Sequence, residues 1–186
     1  MVPVPESTRT SVKPARATSA AVVAGTIDDD KQNAMARTAE RKLSVAQRIY
    51  DLAVNKYGLK PQDLLFDPLV LPISTGIEED RRNALETIEG IRRISQRLPQ
   101  CHTIVGLSNV SFGLKPDARI VLNSVFLHEC REAGLTAAIV HASKLLPRPR
   151  IEDAKWNAAL DLIYDRRREG FDPLTHFVSL FPDQAA

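Results

Sequence analysis

Residues 104–113 read IVGLSNVSFG: a short β-branched run reaches glycine and passes at once into Ser108, Asn109 and Ser111. Apolar residues there would serve a core better. An asparagine offers one acceptor and two donors, and at the carboxyl end of a parallel strand it faces a ligand crevice; the same residue type also caps turns. Asp67 raises a sharper question, because it sits inside LLFDPLVLP with apolar neighbours on both sides. A buried carboxylate without donors costs several kcal/mol. Either nearby backbone amides answer it, or a polar heterocycle with an N–H and an exocyclic amine donates to it bidentately.

Other chemistry-bearing residues are scattered. His102, His128, His141 and His176 lie at no metal-ligand spacing, and no nucleotide-binding, nucleophile-elbow or zinc-protease motif occurs, so no metal site is expected. The acidic TIDDDKQ lacks the glycine and distal glutamate of a calcium-binding loop and reads as a strand-to-helix loop whose acids favour a helix N-terminus. DRRREG reads as a solvated helix end. Cys101 and Cys130 are expected to be small buried apolar residues in a reducing compartment.

The elements that must position these groups alternate. SAAVVAGTI is a short apolar run, followed by a segment in which Leu43, Ala46, Ile49, Tyr50 and Ala53 recur at helical spacing up to Gly58. DLLFDPLVLPI, apolar enough to be covered on both faces, precedes a helix marked by Leu85, Ile88, Ile91, Ile94 and Leu98. HTIVGLSN precedes DARIVLNSVFLHECREAG, and TAAIVHA precedes KLLPRPRIEDAKWNAALDLIYDRRREG. A final small helix packs Phe177, Leu180 and Phe181. Short strands separated by helices predict an α/β fold of four βα units with parallel strands and right-handed crossovers, either an open sheet or half of an eight-stranded barrel. In both, function gathers where the strands end, at Thr26, Asp28, Asp67, Thr75, Ser108 to Ser111 and His141 to Lys144.

Composition narrows the classes. With 186 residues, 44% of them hydrophobic, one domain can bury an adequate core. A net charge of +2 and 5% aromatic residues exclude the basic stripe and stacking platform of a nucleic-acid binder. No run is long enough to span a membrane, and residues 1–18, with three prolines and no apolar h-region, are expected to be a disordered lead-in and not a secretory signal.

The stretches LLFDPLVLPISTGIEEDRRNALETIEGIRRI, TIVGLSNVSFGLKPDARIVLNSVFLHECREAGL, AAIVHASKLLP and ALDLIYDRRREGFDPL together resemble the pterin-binding (methyltetrahydrofolate-binding) domain of cobalamin-dependent methionine synthases and of related corrinoid-linked methyltransferases. The resemblance covers residues 19–186 and implies a (β/α)8 TIM-type barrel of which this chain holds strands five to eight. It implies that Asp67 hydrogen-bonds the pterin ring, that Asn109 contacts N5 of the folate as the catalytic residue, that Gly106 and Ser108 shape the pterin's floor, and that Arg119 lies near the folate. The implied methyl donor is 5-methyltetrahydrofolate, and the implied acceptor is cobalamin supplied by a separate domain or protein, on the way to homocysteine and methionine in the cytoplasm. A dihydropteroate-synthase-like enzyme shares the barrel, but its lysine on the seventh strand and arginine–histidine pair on the eighth find no match in GLSNVSFG and IVHASK.

The resemblance also implies what lies elsewhere: barrel strands one to four, the corrinoid-binding module and the homocysteine site. An open half-barrel exposes sheet edges and an apolar face. The chain is therefore expected to be a fragment inactive until complemented, or to pair with a complementary half-barrel polypeptide, or to associate with itself.

Overall fold

The computed structural model describes residues 20–28 and 35–182; the expected lead-in at residues 1–18 and the acidic residues Asp29 and Asp30 lie outside them. Strands β1 (Val22–Gly25), β2 (Leu64–Asp67), β3 (His102–Gly106) and β4 (Ala137–Ile139) form one sheet in the order β1-β2-β3-β4, every pair parallel. Helices α1 (Ala39–Tyr50), α2 (Asn83–Arg97) and α3 (Pro116–Glu132) make the crossovers. Helices α4 (Asp153–Ile163) and α5 (Pro173–Ser179) follow β4. Strands that neighbour in space as they do in sequence, each followed by a helix, have the architecture of consecutive βα units of a (β/α)8 barrel.

The strands are short because the sequence stops them. The run after Asp67 does not continue the strand: Pro68 and Pro72 have no N–H for a ladder, and Leu69 turns into the left-handed region at φ 59°. Nor is β2 covered on both faces. Leu64 and Phe66 are buried with Ala46, Ala53, Ile94 and Leu98 from the helices, whereas Leu65 and Asp67 point to the other face and are half-buried. In register with them on that face are Val23 and Gly25 of β1, and Val23 is 58% exposed. Across the sheet Gly106 pairs with Ile139, which is 66% exposed. The sheet is thus packed by helices on one side and carries open apolar residues on the other. The second cluster of core residues joins Val105 of β3 to Ile88, Ile91, Leu122, Phe126, Trp156 and Phe177.

Helix α1 starts at Thr38, whose hydroxyl accepts from Arg41 N at 3.2 Å, while Glu86 of α2 accepts from Ala39 N at 2.8 Å. It continues into a wider turn over Asp51–Lys56 that Gly58 closes at φ 70°. The DRRREG segment is not a simple helix end. Helix α4 stops at Ile163, Asp165 takes φ 47°, and Arg167 lies 2.8 Å from Glu78 and 2.9 Å from Asp165, so these arginines answer carboxylates and not a helix dipole.

Asp172 joins this network by capping α5, accepting from Thr175 N at 2.8 Å and pairing with Arg81. The Thr175 N–H and the Arg81 guanidinium hold its carboxyl down at about 2, against an ordinary 3.8. Asp172→Ala is expected to cost about 1 kcal/mol in urea unfolding at neutral pH. A depressed folded-state pKa contributes stability that is present above 3.8 and lost as pH falls toward 2, so the gap between variant and wild type is expected to close across that window.

Candidate functional site

Parallel pairing puts the carboxyl ends of all four strands on one rim. Gly25 is level with Asp67, and Gly106 with Ile139. The loop leaving β2 is tied to the loop leaving β3 by two hydrogen bonds, Ile73 N to Val110 O at 3.2 Å and Ser74 Oγ to Phe112 O at 2.6 Å. Asn109 is therefore carried by a loop that is bonded to the loop leaving Asp67 at the end of β2.

At Asp67 the side-chain Oδ1 accepts from Leu69 N at 2.9 Å, and the main-chain oxygen accepts from Thr26 N at 2.8 Å. Burial raises its carboxyl above the ordinary range, against the opposing pull of the Leu69 amide and the Lys42 ammonium. One backbone amide answers it, so a carboxylate here still has acceptor capacity for a ligand's donors.

Asn109 lies in a tight turn, Leu107–Ser111, that follows β3 directly and buries Leu107 and Val110 beneath it. Those two side chains anchor the turn in the core, which leaves Ser108 and Asn109 exposed. A Cβ on Gly106 would lie 3.9 Å from Asn109 Nδ2, an ordinary contact distance, so Gly106 lies directly beside the amide. Ser108 acts through its carbonyl, which accepts from Ser111 Oγ and from Arg119 Nη2, both at 3.2 Å.

Arg119, in the first turns of α3, also donates through Nε to Ser111 Oγ at 3.1 Å. Its guanidinium braces the turn that carries Asn109. Arg119→Met is expected to accelerate amide exchange in Leu107–Ser111 by roughly fivefold, about 1 kcal/mol of lost hydrogen bonding, and to leave β3 protected.

The remaining rim residues have local duties. Thr75 donates to Asp80 Oδ2 at 2.8 Å, and Asp80 also accepts from Arg37 at 2.9 Å and Asn83 at 3.1 Å. Burial alone would raise the Asp80 carboxyl, but these three donors together hold it below its ordinary range. Asp28 is buried against the Arg41 guanidinium, with Arg48 at 3.9 Å. His141 is exposed, its Nδ1 3.0 Å from Ser143 Oγ. Cys130 is buried and Cys101 half-buried, both free thiols. Among the described residues no group of three or more His, Cys, Asp or Glu is placed to hold a metal ion, and no helix is long and apolar enough to cross a membrane.

Sequence reasoning missed Lys42. It is 1% exposed on α1, and its ammonium donates to Pro68 O at 2.5 Å and Leu69 O at 3.1 Å, directly beneath the Asp67 turn. The available signal was a lysine on the buried stripe of Ala39, Val45 and Ala46, which Ala53 continues in the following turn.

Residues 6–141 match the family model described as "Pterin binding enzyme". The chain is 53% identical over 167 residues to a methionine synthase of Mycobacterium tuberculosis, which covers 90% of this chain and 14% of that protein. It is 54% identical over 162 residues to a methionine synthase of Mycobacterium leprae, covering 87% of this chain and 13% of that protein. The chain thus spans a small part of the length of the curated relatives it matches.

Proposed function

This chain belongs to the pterin-binding enzyme family, and from that premise we propose that it is a methyltransferase domain that binds 5-methyltetrahydrofolate and presents the N5-methyl group to cob(I)alamin, for transfer to homocysteine in cytoplasmic methionine biosynthesis. In this reading residues 19–186 are the second half of the barrel, strands five to eight. The observation that supports it is the bonded pair of rim loops, one following Asp67 at the end of β2 and the other carrying Asn109 after β3. Asp67 accepts from the pterin's N–H and exocyclic amine, Gly106 and Ser108 form the floor, and Arg119 steadies the turn beside the ligand.

Asn109 is the catalytic residue. A tertiary amine leaves poorly, so the methyl group departs N5 only as that nitrogen gains positive character through protonation. A neutral amide can hydrogen-bond N5 before and after it changes, and it stabilises the transition state without placing a repelling charge beside it. The corrinoid, held by a separate module, supplies the nucleophile; this chain supplies position and electrostatics.

A second reading rests on the exposed Val23 and Ile139 of the open sheet face. Here the chain is a non-catalytic fragment that gains activity only when a complementary half-barrel, or a second copy, covers that face. Calorimetric titration with 5-methyltetrahydrofolate separates the two. Micromolar binding by the chain alone supports the first. Absence of heat at millimolar folate rejects it and leaves the second.

A further inference from the structure

We propose that Lys42 is the positioning residue of this rim: from the helix side of the sheet it holds the Pro68–Leu69 turn and, through that turn, fixes the posture and charge of Asp67. The inference rests on the folate reading of the rim and adds to it a residue that never meets the ligand.

The geometry forms one mechanical unit. Two successive carbonyls, Pro68 O and Leu69 O, converge on the ammonium, and Thr87 Oγ1 donates to Leu69 O as well, at 3.1 Å. Convergence requires Leu69 to adopt φ 59°, a conformation that costs a non-glycine residue roughly 1–2 kcal/mol. The same turn swings Leu69 N onto Asp67 Oδ1. Releasing the carbonyls removes the reason for the turn and so frees the amide that orients the carboxylate.

A second observation comes from the facing helix. Gly90 sits inside α2, where glycine costs about 1 kcal/mol relative to alanine. A Cβ there would come within 2.7 Å of Lys42 Cδ. The helix interior is opened at the place where the lysine stem passes.

The charged groups around the ammonium are Asp67 on β2 and Glu86 on α2, which favour it, and Arg37 just before α1, which opposes it. Burial outweighs them and lowers the amine to about 8. Below that pH the cation helps keep Asp67 ionised; above it that help is withdrawn. Stability follows the opposite course. A lysine whose folded pKa lies below its unfolded 10.5 contributes stability that rises as pH climbs from about 8 to 10.5. In the ligand-free chain the Asp67 carboxyl and the Lys42 amine are therefore expected to titrate as a coupled pair, a coupling that a merely structural lysine does not produce.

The decisive test is a ligand-free NMR titration of the Asp67 carboxyl carbon and the Lys42 side-chain carbon next to nitrogen, in the wild-type chain and in Lys42→Met, which keeps the stem. In the wild type the Asp67 signal is expected to show a second step at the pH where Lys42 titrates, and in the variant the Asp67 midpoint is expected to rise by about one pH unit. Gly90→Ala, which displaces the stem without touching the rim, is expected to shift it the same way. A wild-type Asp67 curve with no step at the Lys42 midpoint overturns the proposal, whether or not either variant folds. Calorimetry with 5-methyltetrahydrofolate reads the other premise separately: no binding by the wild type at any pH defeats the folate reading, while the coupling between the two residues is still measured.

Discussion

Asp67→Asn is expected to weaken binding of 5-methyltetrahydrofolate by roughly 30- to 1,000-fold, about 2–4 kcal/mol, because two hydrogen bonds to an ionised acceptor become contacts to a neutral amide whose NH2 opposes one of the ligand's donors. The substitution is nearly isosteric and leaves an oxygen for the Leu69 amide, so the turn keeps its shape. The pH dependence has a definite sign. In the proposed reading the ionised carboxylate is the binding form, and burial places its pKa above the ordinary carboxylate range. Wild-type affinity is expected to fall as pH drops through that raised value, whereas the variant is expected to be flat over the same interval. For folding the sign reverses. A raised folded-state pKa contributes stability below the unfolded value that is lost as pH rises through the folded one, so the charge is a burden on the folded chain at neutral pH. The melting temperature of Asp67→Asn is accordingly expected to stay at or above that of wild type, which separates a loss of ligand contacts from a loss of fold.

Phe66→Ala is expected to carry the largest cost in stability, about 3–5 kcal/mol in urea unfolding. Phe66 is fully buried on the helix side of an interior strand, packed with Leu64, Ile94 and Leu98, and truncation leaves a cavity where α1 and α2 meet the sheet. Phe112→Ala makes the matching control. That ring is 67% exposed, so its removal is expected to change stability by no more than about 0.5 kcal/mol. Equal costs at the two positions would contradict the assignment of Phe66 to the core and of Phe112 to solvent.

Much of this was legible in the residues. Four apolar runs alternating with helical stripes predict the parallel sheet, and the buried positions Ile88, Ile91, Ile94 and Phe177 fall where the periodicity puts them. The polar set after the third strand marks the rim because serine and asparagine there break a run that packing alone would keep apolar. The length of the second strand was less legible. Its apolar run extends to Ile73, and hydrophobicity does not record that prolines withhold the amides a ladder needs. The duty of Arg119 was hidden for a different reason: proximity in sequence to Asn109 does not say whether a guanidinium reaches outward or turns back onto the Ser108 carbonyl. Lys42 was hidden most completely. Periodicity counts a lysine as solvent-facing, and the partners that justify burying it, two carbonyls 26 and 27 residues away, are brought together only by the packing of α1 beneath the rim.

The central claim is that the amide of Asn109 and the carboxylate of Asp67 grip one flat heterocycle. The most direct measurement follows both groups at once, the Asn109 side-chain 15N–1H pair and the Asp67 carboxyl carbon, while 5-methyltetrahydrofolate is titrated into the chain. Both signals are expected to shift along a single saturation curve with one dissociation constant. Saturable binding that leaves either signal in place, or moves the two with different constants, contradicts the claim.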